Sequence, residues 1–517
     1  MNKVVSVAEA IALIKNGDSV ATGGFVGSMH PEYITKSIGD TFTSTGQPNN
    51  LSLIFAAGQG DGKDKGLNHL GHEGLITKVI GGHWGLIPKV QKLALENKIV
   101  AYNLPQGSIS QLYRAVAGKK PGILTKVGLK TFVDPRLEGG KINEITTEDI
   151  VEVMNIGGED YLFYKTFNVD VAIIRGTYAD VDGNCVFTKE CSNLEMLSMA
   201  QAAKNCGGKV ILQVEKVVQR GSLDYSQVKI PGIYVDAIVE APIEYHMQTF
   251  GEQYNPSYSQ EVKVPMDQIK PMGFDVRKII ARRAAMELVP NAITNLGIGM
   301  PEGVSMVANE EGVEGVVLTT EAGTIGGVPA GGQSFGAASN ADAIIDQPYQ
   351  FDFYDGGGLD IAFLGLAQCD KGGNVNVSKF GPKIAGCGGF INISQTAKKV
   401  VYCGTFTAGK SKIGVADGKL MIEEDSSVIK FIDDVEQVTF SGDYAYKVGQ
   451  PVKYITERAV FELSDKGLTL TEIAPGVNLD KDILGKMKFK PHISEDLRIM
   501  DERIFREEAM GLKDMIS

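Results

Sequence analysis

Apolar and polar positions follow two periods along most of the chain. Residues 7–15 carry apolar side chains at helical spacing, while 19–22 and 51–56 are short apolar runs bounded by polar or glycine-rich segments. That pattern predicts a helix followed by buried strands. It returns later, where 278–288 has helical spacing and 316–320 reads as a buried strand. Repeated strand–turn–helix units predict an α/β fold with mainly parallel sheets. The charged stretch 495–508 predicts a solvated helix. No apolar run approaches the ~18–20 residues a membrane span requires. The N-terminus enters an amphipathic pattern at once, with no signal-like apolar core. The expectation is a soluble, cytoplasmic chain.

Periodicity fails over 251–273, a polar stretch with three prolines, which predicts a linker. A chain of 517 residues is too long for a single core, so the expected division is an N-terminal domain at 1–250, the linker, and a C-terminal domain at 274–517. The two parts echo each other. The run from Asp170 through Asp180 to Gly183-Asn184 aligns with Asp360 through Asp370 to Gly373-Asn374, each an apolar strand feeding a polar glycine turn. His30-Pro31-Glu32 aligns with Met300-Pro301-Glu302, and Ala56-Ala57-Gly58 with Glu321-Ala322-Gly323. The spacing between echoes differs, so the first copy must carry a large insertion. The expected architecture is two related open α/β domains, and only the second copy has a carboxylate at its turn.

Composition adds one feature and removes several function classes. Of the 517 residues, 62 are glycine, against a usual share of roughly 7%. They cluster beside apolar runs, which suits tight turns and close backbone approach. The net charge of −12 argues against a nucleic-acid partner. The six cysteines form neither a CxxC pair nor a cluster with histidine, so a disulfide framework and a zinc site are both poor readings.

The sharpest candidate for chemistry is the turn Thr320-Glu321-Ala322-Gly323-Thr324-Ile325-Gly326, where a carboxylate follows a buried strand. Ligands of open α/β sheets bind at such strand ends, and Gly323 and Gly326 would let a large substrate approach the main chain. A solvated turn glutamate would leave the same trace. The second cluster, Gly386-Cys387-Gly388-Gly389-Phe390, can aim backbone N–H groups at developing negative charge, or be a plain tight turn. Pro105-Gln106-Gly107 offers an amide side chain at another strand end. His69, His72 and His83 lie near Trp84 without metal-ligand spacing, and Cys387 lacks an evident activating partner. Both read as structural.

Together, Glu321-x-Gly323-x-x-Gly326 and Gly386-x-Gly388-Gly389-Phe390 resemble the family I coenzyme A-transferases. The resemblance runs nearly end to end, through Thr22-Gly23-Gly24-Phe25, Pro105-Gln106-Gly107, Asn295 to Gly299, Phe351 to Asp360, Tyr454 to Phe461 and Glu472 to Gly476. It is strongest to the propionate/acetate type with both halves fused in one chain. It implies a ping-pong transfer of coenzyme A between short-chain acyl-CoA thioesters and free carboxylates such as propionate, acetate, butyrate or lactate. Glu321 would be the nucleophile, forming an acyl-glutamyl anhydride and then a glutamyl-CoA thioester. Gly388 and Gly389 would supply oxyanion N–H groups, with Asn376 as a further donor and Gln106 holding the carboxylate or oxyanion. Gly323, Gly326 and Gly386, with Lys379 and Lys383 for the phosphates, would bind coenzyme A as a substrate; no tightly bound cofactor or metal is implied. The resemblance also favours a homo-oligomer with its site where the two domains meet. Some relatives carry asparagine where this chain has Ala322, so that position has no hydrogen-bonding role here. A 3-oxoacid CoA-transferase, an acyl-CoA hydrolase and a non-catalytic acyl-CoA sensor remain as alternatives.

Overall fold

Strands built almost wholly of apolar residues need both faces covered, and the apolar runs of this chain form parallel sheets of that kind. The computed structural model describes residues 3–265 and 271–516. In the first of two compact units, strands β1 (Ser19–Thr22), β2 (Leu51–Phe55), β3 (Ile76–Gly81), β4 (Val100–Asn103), β5 (Val171–Asp180), β6 (Lys209–Val218) and β7 (Ala237–Glu240) run in the order β7-β6-β5-β1-β2-β3-β4. All of these neighbours are parallel. In this unit lie helices α1 (Val7–Ile11), α2 (Glu32–Thr45), α3 (Pro88–Leu95), α4 (Gln106–Ala117) and α5 (Met196–Asn205). Ile11, Ile34 and Ile38 pack with Val20, Leu53 and Val79 in its core. Helix α1 is shorter than the apolar spacing predicts. The Asp18 carboxylate accepts from the Lys15 N–H at 2.8 Å and diverts the chain into a turn.

In the second unit lie α6 (Val276–Ala285), α7 (Glu302–Glu310) and strands β8 (Ile293–Leu296), β9 (Val317–Thr319), β10 (Ile361–Gly365), β11 (Val400–Cys403), β12 (Val452–Ile455), β13 (Ala459–Ser464), β14 (Gly467–Ile473) and β15 (His492–Ile499). Their order is β9-β8-β10-β11-β12-β13-β14-β15. Pairing is parallel from β9 to β12, antiparallel at β12–β13 and β13–β14, and parallel again at β14–β15. Strand β15 and a short 3-10 turn at Glu502–Phe505 occupy the stretch expected as a solvated helix. Met500, Ile504 and Phe505 are buried in this unit's core, and charges along β15 suit an edge strand.

The internal echo is structural. Strand β1 lies between β2 and β5, and β8 lies between β9 and β10. The Asp170 carboxylate accepts from Ser19 N–H at 2.8 Å, and the Asp360 carboxylate from Ile293 N–H at 2.8 Å. At the far end, Asp180 accepts from the Asn184 N–H and side chain, and Asn184 Oδ1 accepts from Gly232 N–H. Asp370, Asn374 and Gly442 repeat that pattern. Pro31 and Pro301 cap α2 and α7. Strands β3 and β4 and a three-stranded antiparallel sheet (Gly122–Thr125, Val151–Ile156, Glu159–Lys165) fall within the extra length of the first copy.

The units are not collinear with the chain. The first comprises Met1–Val264, Thr320–Asp352 and Pro382–Asn392; the second holds Pro265–Thr319, Phe353–Gly381 and Ile393–Ser517. A split at 250–275 is therefore too simple, because two later segments return to the first unit. The expected linker also divides. Its described part up to Val264 is tied into the first unit by Ser257 Oγ to Ser339 Oγ at 2.7 Å and by Val264 N–H to Asn340 Oδ1 at 2.8 Å. Residues 266–270 lie outside the described residues.

His30 is fully buried in the first unit, with Gln59 Oε1 2.9 Å from Nδ1 and Thr35 Oγ1 2.9 Å from Nε2. Burial, partly offset by Glu32, pulls its pKa from 6.5 down to about 4. The unfolded chain then binds the proton first as pH falls, so stability is full above pH 6.5 and lost between 6.5 and 4. At about 1.4 kcal/mol per unit this is on the order of 3 kcal/mol. Urea unfolding of the wild type and of His30→Gln across that window should show the substitution flattening the pH dependence.

Candidate active site

Glu321 follows β9 at the point where the chain re-enters the first unit. Its turn is closed by Thr320 N–H to Thr324 O at 3.0 Å, Gly323 N–H to Thr320 O at 3.1 Å and a 2.6 Å contact between the two threonine hydroxyls. Thr324–Ile325 then pairs antiparallel with Ala343–Ile344. The glutamate is half-buried, with Oε2 closed off from solvent.

Helix α8 (Gln347–Asp355) begins immediately after this hairpin, and its first turn joins two parts of the candidate site. Gln350 Nε2 donates to the carbonyl of Thr320, next to the glutamate, at 3.0 Å. One turn earlier, Gln347 Oε1 accepts from Gln106 Nε2 at 3.2 Å. Residues three apart share a helix face, so one turn of helix gathers the Glu321 turn and Gln106. Gln106 is the first residue of α4 and is buried. Its N–H donates to Gly388 O at 2.9 Å, and the next N–H, of Gly107, donates to Asn392 Oδ1 at 3.1 Å. These are N–H groups that a helix start leaves without intrahelical acceptors.

The 386–389 loop is tied to the ends of β3 and β4. Gly388 N–H donates to Gly82 O at 2.7 Å, Asn103 Nδ2 donates to the same oxygen at 2.6 Å, and Asn103 Oδ1 accepts from Cys387 N–H at 3.0 Å. Trp84 and Gly85 both donate to Ala385 O. Burial pushes the Cys387 thiol well up, which removes it as a nucleophile at neutral pH. His83 lies against this loop, and burial holds its imidazole down to about 4 and neutral.

Several expected roles change with the geometry. Gly323 has φ +104, and a Cβ there would stand 2.1 Å from Ile345 O; one at Gly326 would stand 2.1 Å from Asp342 Oδ2. One at Gly386 would meet Trp84 N at 2.9 Å. The Cβ directions of these glycines are taken by the protein's own atoms. The N–H of Gly388 is committed to Gly82 O, which leaves Gly389, whose N–H has no acceptor among the described residues. At Gly388, by contrast, an added Cβ would meet only ordinary van der Waals contacts, with Gln106 Oε1 and His83 at 3.7 Å. Asn376 belongs to the second unit, where its amide donates to Gln368 Oε1 and Lys379 O and accepts from Ser378 N–H. It holds a turn and has no donor to spare for an oxyanion. Lys383, in the first unit, is exposed, and neither it nor Lys379 of the second forms an ion pair among the described residues. Sequence reasoning missed Gln347, Gln350, Asn103 and Glu195. Gln347 and Gln350 stand just ahead of Phe351, and Asn103 just ahead of Pro105; Glu195 stands beside none of the motifs.

Comparison with known proteins gives the same direction. The coenzyme A transferase family matches residues 4–241. Over 99% of both chains the protein is 46% identical to caffeate CoA-transferase of Acetobacterium woodii. The chain belongs to the coenzyme A transferase family. This transferase is also 44% identical to acetate CoA-transferase YdiF of Escherichia coli O157:H7, over 98% of this chain and 96% of the relative. Its fold matches the crystal structure of the YdiF apoenzyme with a TM-score of 0.94, at 44% identity over 98% and 97% of the two chains. A YdiF thioester complex with CoA matches at 0.92 and 43% identity, over 98% of this chain and 97% of that one. The transferase moves coenzyme A between acyl-CoA thioesters and carboxylates. Among its described residues no helix is long and apolar enough to cross a membrane, and no group of His, Cys, Asp or Glu could hold a metal ion.

The glycine geometry makes a paired prediction. Gly323→Ala forces a Cβ onto Ile345 O and should lower the thermal midpoint severely. Gly388→Ala meets only ordinary van der Waals contacts and should cost only about 1–2 kcal/mol for its left-handed backbone. Thermal unfolding of the two variants beside the wild type separates these outcomes.

Proposed function

We propose that the transferase works by a ping-pong route through Glu321 on short-chain acids. The carboxylate attacks the acyl-CoA carbonyl, and the thioester C–S bond breaks to give an acyl-glutamyl anhydride and CoA thiolate. The thiolate attacks the glutamyl carbonyl of the anhydride, which forms glutamyl-CoA and releases the first carboxylate. An incoming carboxylate runs both steps backwards. A glutamyl carboxylate matches the substrate carboxylate in reactivity, so the exchange is nearly balanced and splits one difficult step into easier ones.

The observation that carries this reading is the first turn of α8, which bonds the turn of Glu321 through Gln350 and Gln106 through Gln347. The uncommitted Gly389 N–H suits a tetrahedral oxyanion. Lys383 meets the coenzyme A phosphates as an unpaired cation. Substrate names among the relatives, acetate and caffeate, span a small aliphatic acid and a larger aromatic one; acetate and propionate are our choice for this chain. The resemblance further favours a homo-oligomer in the cytoplasm.

Mixing the enzyme with propionyl-CoA and no acceptor should leave a CoA-sized adduct on the Glu321 peptide, read by mass spectrometry and absent in Glu321→Ala. Steady transfer in that variant should fall by several orders of magnitude. Gln106→Ala should retain the adduct and lose on the order of 10²-fold in rate. Steady CoA release without an adduct would instead mark a hydrolase. Neither adduct nor release would favour a binding protein, and a preference for acetoacetate as acceptor a 3-oxoacid transferase.

A further inference from the structure

Gln106 does not stand alone behind the glycine loop. Gln347, which accepts from it, also donates through Nε2 to Oε2 of Glu195 at 3.0 Å, so Gln106, Gln347 and Glu195 form one buried chain in the first unit. Gln347 is further fixed by its own N–H to Leu194 O at 3.0 Å. Glu195 is 1% exposed and precedes α5, and its other oxygen, Oε1, has no hydrogen-bond partner. A carboxyl group so placed has no role in the ping-pong route itself. We propose that Glu195 is a positioning residue whose carboxylic acid decides, through Gln347, which end of the Gln106 amide faces the reacting groups.

The reasoning uses the two-ended chemistry of amides. A primary amide accepts at oxygen and donates at nitrogen, and turning it by 180° exchanges the two within the same space. When Glu195 accepts, Gln347 points its nitrogen at Glu195 and its oxygen at Gln106, and Gln106 turns its oxygen towards Gly388. When Glu195 carries a proton and donates it to Gln347 Oε1, both amides reverse. Gln106 then bonds Gln347 through its oxygen and turns its N–H towards Gly388. Only the second state supplies a donor to an oxyanion or a substrate carboxylate. An accepting, ionised Glu195 would also polarise the chain in the wrong sense.

The surroundings favour the proton. Burial of Glu195, with repulsion from Asp346, raises its pKa to about 8; its own backbone N–H pulls the other way. Asp346 is itself raised by burial, holds Asn193 and faces Lys229. Tyr113, whose phenol burial pushes well above its ordinary value, also faces Glu195 and donates to Ile54 O. Glu195 is therefore a neutral acid at pH 7, and its proton leaves as pH rises through about 8.

This inference rests on the ping-pong reading, and one experiment separates the two. The rate of CoA adduct formation on Glu321 from propionyl-CoA would be followed from pH 6.5 to 9.5 in the wild type, Glu195→Gln and Glu195→Leu. The expected wild-type rate falls about tenfold per unit above the midpoint near 8. Glu195→Gln keeps a donor without a titrating proton, so its profile stays flat, with a pH 7 rate within about fivefold of the wild type. Glu195→Leu should lose at least about tenfold in rate at every pH while KM for propionyl-CoA is unchanged. Should that variant fail to fold, the profile of Glu195→Gln decides alone. Superimposed wild-type and Glu195→Gln profiles, or a folded Glu195→Leu with wild-type rate, overturn the positioning role and leave the ping-pong reading intact. No wild-type adduct overturns both.

Discussion

The carbonyl oxygen of Gly82 accepts from Asn103 Nδ2 and Gly388 N–H at once, and the geometry of the candidate site hangs on that pair. It anchors the 386–389 loop to the ends of β3 and β4, which belong to a rigid parallel sheet. With the loop fixed, the Gly388 carbonyl is aimed at the start of α4, and Gln106 takes its place from there. A buried carbonyl must be satisfied. Here both lone pairs are used, and the loop has one stable seat. The price is the Gly388 N–H, which serves the scaffold and is lost to catalysis.

What the sequence revealed and concealed follows from the range of the forces involved. Glu321, Gln106 and the 386–389 loop were legible because each is a local anomaly: a charge, an amide or a glycine cluster set directly after an apolar strand. The alternating strands and helices were legible for the same reason. Gln347 and Glu195 are ordinary polar residues in sequence, and their burial arises from partners 152 positions apart. Gly323 shows the converse. A glycine required by a neighbouring carbonyl is indistinguishable, in sequence, from one required by a ligand. Asn376 is a donor in the resemblance, yet its amide closes a turn with Gln368, Ser378 and Lys379. The 495–508 stretch was misread because charges on an edge strand and charges on a solvated helix differ only in period, and this run is too short and irregular to tell them apart.

The duplicated scaffold lets two copies share a frame and differ at a single turn. Both copies keep the aspartate that ties the start of the central strand and the Asp–Asn–Gly turn that follows the strand beside it. These groups secure the backbone and say nothing about reaction. At the equivalent turn after β2 the first copy has Ala56, where the second has Glu321. The difference between the copies is one side chain at this turn, together with extra strands in the first copy that bring Gln106.

The non-collinear units set a schedule for synthesis. The first unit has its own sheet by Val264, but its remaining segments, Thr320–Asp352 and Pro382–Asn392, have yet to be made. At about 5–20 residues per second, reaching Asn392 takes roughly 6–26 seconds more on the ribosome. Throughout that interval the nascent sheet exposes the seats these segments will fill, including the Gly82 carbonyl. It must be shielded by water or a chaperone. The same delay keeps Glu321 out of its final seat until most of the chain exists, so no half-made product presents that turn in its folded form.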